Sequence, residues 1–189
     1  MMFIHNFFVV VALAVFLTVL VATGTYCYFR YKSRNSPYGD FETLLKRLSS
    51  VDRGNVALIA RDLVDQSGKR RTDEDDLDLD PSQIWPLIGG LRGLEVLERN
   101  CVVLVDLVFY VQQWYSEALA LAEQLRLNAR EIEWHVSRLK GAEKTGKLES
   151  SFADNAQGVV ATCYLMTRRV LALYEQLNVP GVAELQRAL

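Results

Sequence analysis

Apolar and polar positions follow three different rhythms along this chain. From Phe3 to Phe29 there is no alternation at all. The stretch lacks Asp, Glu, Lys and Arg, and residues 7–29 read FFVVVALAVFLTVLVATGTYCYF. About 20 such residues, rising 1.5 Å each, span the ~30 Å hydrocarbon core of a bilayer. The pattern predicts a transmembrane anchor over residues 1–29. A cleaved signal peptide would need a basic leading region, and the run is preceded only by Met1, Met2, Phe3, Ile4, His5 and Asn6. Behind it come the aromatic residues Tyr26, Tyr28, Phe29 and Tyr31, then Arg30, Lys32 and Arg34 as membrane-flanking cations. The excess of positive charge on that side predicts a single-pass signal-anchor of the cell (inner) membrane, with the N-terminus outside and the C-terminal domain in the cytoplasm.

The second rhythm is short and helical. Residues 30–40 form a juxtamembrane linker broken by Pro37 and Gly39. Asp40 is placed to cap a helix bearing Phe41, Leu44, Leu45 and Leu48 on one face. Asn55 is placed to cap another, bearing Val56, Ile59, Ala60, Leu63 and Val64. Both fall within residues 41–66 and are too short to stand alone, so packing on a larger helical part is expected. Residues 67–93 read as a charged and turn-rich linker. It opens with Lys69, Arg70 and Arg71, continues with Asp73, Glu74, Asp75, Asp76, Asp78 and Asp80, and ends among Pro81, Pro86, Gly89, Gly90 and Gly93.

The third rhythm dominates. From Leu94 to Lys140 there is neither Gly nor Pro, and apolar residues recur in alternating steps of four and three. They are Leu97, Cys101, Leu104, Val108, Val111, Tyr115, Ala118, Ala122, Leu125, Ala129, Ile132, Val136 and Leu139. That is a heptad seam, which requires a helix. Continuous, it would be about 70 Å long, with Trp114–Ser116 the place for a kink. A turn centred on Gly146 follows, with Ser150 or Ser151 as the next cap. The seam then resumes through Phe152, Ala156, Val159, Cys163, Met166, Val170, Leu173 and Leu177. Residues 94–178 are therefore expected to form a long antiparallel, coiled-coil-like hairpin, and 179–189 a short C-terminal helix. Between Cys101 and Leu125 a second apolar row, Val105, Leu107, Trp114, Leu119 and Leu121, calls for more than one neighbour. A dimer through the first seam is the competing use of the same pattern.

Composition adds exclusions. The 189 residues are 50% apolar and 23% charged, with a net charge of −2. This excludes a wholly disordered chain and offers no electrostatic footprint for nucleic acid. The three cysteines, Cys27, Cys101 and Cys163, lack metal or redox spacing. Cys101 and Cys163 lie in apolar seams and read as buried thiols. Cys27 stands at the inner edge of the span, where acylation is chemically possible.

Candidate chemistry is sparse. The acidic stretch fails the calcium-loop pattern, because counting from Asp73 the sixth residue is Asp78 and the twelfth is Ile84. His135, with Glu131 a turn before it, supplies one fragment of a di-metal motif and none of the rest. No nucleophile elbow or phosphate loop occurs. Neither catalytic, cofactor-binding nor metal residues are assigned, and an enzyme is not expected.

The expected fold is all-α: one transmembrane helix followed by a cytoplasmic helical domain. The expected role is that of a membrane-anchored scaffold, tether or accessory subunit acting through protein–protein contacts. Its partners would be the bilayer and other proteins or a second copy of the chain. The expected interaction face is Leu97, Cys101, Leu104, Val108, Val111, Trp114, Tyr115, Leu121 and Leu125. A cofactor-binding or catalytic subunit and a single-pass signalling protein are the alternatives.

Overall fold

A computed structural model describes residues 13–27, 38–64 and 79–189 of the chain. Every regular element among them is helical, so the all-α expectation holds. The chain divides into two units, residues 1–40 and Phe41–Leu189.

In the first unit the described element is α1, a helix over residues 13–27. The hydroxyls of Thr18, Thr23 and Thr25 turn back onto the carbonyls of Ala14, Val19 and Val21 one turn earlier. The helix thus satisfies its own polar side chains. Among the described residues no helix is long and apolar enough to cross a membrane. The predicted span extends over residues 3–12 and 28–29, which lie outside the described residues. Arg30, Lys32 and Arg34, the Lys69–Arg71 triplet and the Asp73–Asp78 run lie outside them too.

The second unit is built on three long helices. They are α5 (Gly90–Gln112), α6 (Ala118–Lys144) and α7 (Leu148–Gln176). Four short ones surround them: α2 (Phe41–Arg47), α3 (Arg53–Leu63), α4 (Pro81–Ile88) and α8 (Val182–Ala188). The predicted 94–140 helix is in fact two helices. The chain leaves α5 at Gln113 and re-enters a helix at Ala118, without a glycine or proline. The amides of Gln113 and Trp114 bond three residues back, to Tyr110 and Val111, which tightens the last turn of α5. Those of Ala118 and Leu119 do the same to Tyr115 and Ser116. α6 then folds back along α5, and Lys140 near its far end pairs with Glu95 at 3.2 Å and Glu98 at 3.6 Å near the start of α5.

Tertiary burial explains the break. A straight 70 Å helix would leave the second apolar row of α5 against solvent. Folded back, Val105 and Leu107 are buried along with the seam. α7 returns antiparallel to α6 and parallel to α5. The result is an up-down-up three-helix bundle rather than a single long hairpin. The second reversal falls where the sequence put it, with Gly146 in the left-handed region (φ 71°). There the amide of Lys147 reaches back to Ala142 at 2.9 Å, closing the end of α6.

Three local details differ from the sequence reading. Asp52, not Asn55, caps α3, its carboxylate accepting from the Asn55 amide at 3.0 Å. The Asn55 side chain instead donates to the Leu87 carbonyl at 2.9 Å, tying α3 to α4. The second half of the turn-rich linker is the helix α4, since Asp80 caps it and Pro81 stands in its first turn, where no amide is required. Ser150 and Ser151 are not caps but lie inside α7, bonded back to the Lys147 carbonyl.

α7 is the centre of the fold. Residues 155–163 are all buried, although the sequence assigned only one stripe of them to the seam. Bundle helices cover one side and α3 and α4 the other. Asp106, the acid inside the most apolar stretch, faces α2 and pairs with Arg47 at 2.8 Å. With both partners partly exposed, such a pair contributes at most about 1 kcal/mol.

Candidate interaction site

The structure sorts the nine expected interface residues into two groups. Leu97, Cys101, Leu104, Val108, Val111 and Leu125 are buried in the core of the single chain. They are not an interaction face, because α7 and the fold-back of α6 cover the seam from within. Leu121 is half-buried on α6, and Trp114 and Tyr115 are half-buried at the α5–α6 reversal.

The last two line a cleft of about 600 Å³ at that end of the bundle. Three segments distant in sequence build it. α2 brings Phe41, Glu42 and Leu45; the end of α5 brings Tyr110, Trp114 and Tyr115; the turn into α8 brings Val179, Pro180, Gly181 and Glu184. Its aromatic groups form a continuous series. The Phe41 ring lies 6.1 Å from that of Tyr174 and 6.2 Å from that of Tyr110. Tyr110 meets Trp114 edge-on at 4.7 Å, within the range where ring quadrupoles attract.

The floor beneath this series is rigid. Tyr174 is fully buried, and its hydroxyl donates to the Leu107 carbonyl at 3.0 Å. Burial, and next the neighbouring Tyr110, push the Tyr174 phenol well above its ordinary value. The turn is equally constrained. Asn178 takes a left-handed φ of 49°, and the Val179 amide closes α7 onto the Tyr174 carbonyl at 3.0 Å. Gly181 has φ 93°, and a Cβ there would come 2.3 Å from the Phe41 ring. Only glycine lets the turn lie against the aromatic series.

Sequence reasoning reached Trp114 and Tyr115 but missed Phe41 and Gly181 as parts of one site. The available signals were the Tyr110–Trp114 spacing of one helical turn and the Pro180-Gly181 pair just after a helix.

Two other features bring chemically active groups together. A smaller cavity of about 250 Å³ lies between α3, α5 and α7 and is lined by Val56, Leu97, Leu104, Cys163 and Leu171, with Arg53 and Arg168. The Cys163 thiol there lies against that of Cys101. Burial raises the Cys101 thiol well above its ordinary range, and the facing Cys163 raises it further. His135 reaches across to α7. Its Nδ1 meets the Asn155 carboxamide oxygen at 2.8 Å, while the Asn155 nitrogen donates to the Ser151 carbonyl at 2.7 Å. That orientation makes His135 Nδ1 the donor. Among the described residues no three His, Cys, Asp or Glu side chains come together as a metal site would require.

Compared with protein-family models, curated proteins and solved structures, the chain matches none of them.

Proposed function

We propose that the chain is a membrane-tethered helical adaptor that presents a rigid bundle to a partner protein. One contrast carries this reading. The bundle covers its own seam, whereas the large apolar side chains of α1 remain 53–66% exposed on every side of the helix. A helix apolar all round, with its hydroxyls bonded internally, fits a lipid environment. Together with the uncharged stretch from Phe3 and the cations at Arg30, Lys32 and Arg34, it supports an anchor of the cell (inner) membrane with the bundle in the cytoplasm. The half-buried aromatic cleft is the surface we assign to the partner, in place of the seam.

The test is fractionation of the full chain after expression, with alkaline carbonate extraction and protease treatment of spheroplasts. The chain is expected in the carbonate-resistant membrane pellet, its bundle protected until the cells are lysed. Recovery in the carbonate supernatant would overturn the tether, and digestion of the bundle in intact spheroplasts would reverse its orientation.

A further inference from the structure

We infer that the aromatic cleft binds a basic side chain, an alkylguanidinium or alkylammonium, presented by the partner protein. This rests on the adaptor reading, and it follows from the charge and chemistry of the lining. Among the described residues, the ionisable side chains lining the cleft besides tyrosines are Glu42 and Glu184, and neither Lys nor Arg lines it. Glu42 shares its charge with Lys46 at 3.9 Å, both side chains largely exposed. Glu184, in the first turn of α8, forms no ion pair among the described residues.

The rings supply the second half of the complementarity. Tyr110, Trp114 and Tyr115 line the cleft, and a cation near the face of such a ring is attracted by its quadrupole. Arginine is the stronger fit, since its flat guanidinium stacks on a ring while its edge hydrogen-bonds a carboxylate. The bundle already shows a guanidinium over a ring elsewhere, with that of Arg138 4.7 Å from the centre of the Trp134 ring. The two acids stand on different elements, so a cation between them would bridge α2 and α8 over the aromatic floor. An anionic or purely apolar occupant would leave Glu184 without a cation, since Lys46 stands beside Glu42 alone.

The experiment uses the full chain in detergent micelles, with its three tryptophans replaced by 5-fluorotryptophan and the fluorine signals assigned by single Trp→Phe variants. The probes are n-butylguanidinium chloride and its neutral isostere, n-butylurea. Trp114 is expected to shift saturably with the cation and about five- to tenfold more weakly with the urea. The Trp85 signal is expected to stay in place. The double variant Glu42→Gln/Glu184→Gln should weaken the response about threefold; both positions are exposed, so the fold is retained, and an unchanged Trp85 signal verifies it. Equal responses to both probes, or an unaltered response in the double variant, would overturn the inference.

A second arm compares nanodiscs of phosphatidylglycerol with and without phosphatidylcholine. A Trp114 shift caused by the choline lipid alone would assign the cleft to a headgroup and overturn a protein-borne cation. A flat micelle titration leaves carbonate-resistant anchoring untouched, and loss of anchoring leaves the titration untouched, so the two readings fail separately.

Discussion

Asn100 on α5 holds the backbone of Ser49 with both ends of its carboxamide. Its oxygen accepts from the Ser49 amide at 2.9 Å, and its nitrogen donates to the Ser49 carbonyl at 2.8 Å. The side chain acts as a piece of β-ladder inside a helical protein and clamps the α2–α3 connection to the bundle. Replacing Asn100 by Ala leaves two partly buried backbone groups without partners. Each costs about 1–3 kcal/mol, so Asn100→Ala is expected to destabilise by about 2–4 kcal/mol in urea unfolding. A loss below 0.5 kcal/mol, by the same order-of-magnitude reasoning, would show that water replaces the clamp.

Tyr174 gives a pH-dependent prediction. Its phenol is raised in the fold, so the unfolded chain releases that proton first as pH increases. Stability is therefore unaffected below about pH 10, the ordinary tyrosine value, and falls above it by up to about 1.4 kcal/mol per pH unit. Tyr174→Phe removes this dependence. The variant should be about 1 kcal/mol less stable at pH 8, through loss of the bond to Leu107. By pH 11 the difference should vanish or reverse. Thermal unfolding at both pH values checks the sign.

Gly181 couples stability to the cleft. Gly181→Ala combines a left-handed backbone, costing about 1–2 kcal/mol for a residue with a Cβ, with a clash against Phe41. The expected result is a lower melting temperature together with a changed fluorine signal at Trp114. Gly146→Ala has the same backbone strain, but nothing lies within 4 Å of its added Cβ. That variant should lose stability without moving Trp114.

The cysteines should separate by rate. Cys27 is exposed, whereas Cys101 and Cys163 are buried. In micelles at pH 8, iodoacetamide should modify Cys27 directly, and the core thiols only as fast as the bundle opens. Mass spectrometry after timed quenching reads the difference. Prompt modification of Cys101 would contradict the packing of α5 against α7.

Much of this architecture was legible because heptad spacing reports which face is buried. Leu97 through Leu139 and Phe152 through Val170 kept that face in the folded chain. What heptads do not report is continuity, since a seam that folds back at Trp114 has the same spacing as one that runs on. The second row through Val105 and Leu107 held the missing information as a demand for another neighbour. The cleft was less legible still. Phe41, Trp114 and Glu184 share no spacing, and only the two chain reversals and the turn at Gly181 bring them together. Asn55 shows the same limit locally: its capping role went to Asp52, because the Leu87 carbonyl, remote in sequence, claimed its side chain.

The complete enclosure of residues 155–163 in α7 has a consequence for the order in which the chain matures. Ribosomes release α1, α5 and α6 before α7, yet the first bundle helices have no closed core without it. On the tether reading, α1 has already entered the bilayer while the Leu97–Val111 face still waits for its cover. On that reading the newborn bundle spends the interval at a membrane surface with the most apolar of its three long helices open. Chaperone capture or premature association would act on the chain in that window, before the finished fold exists.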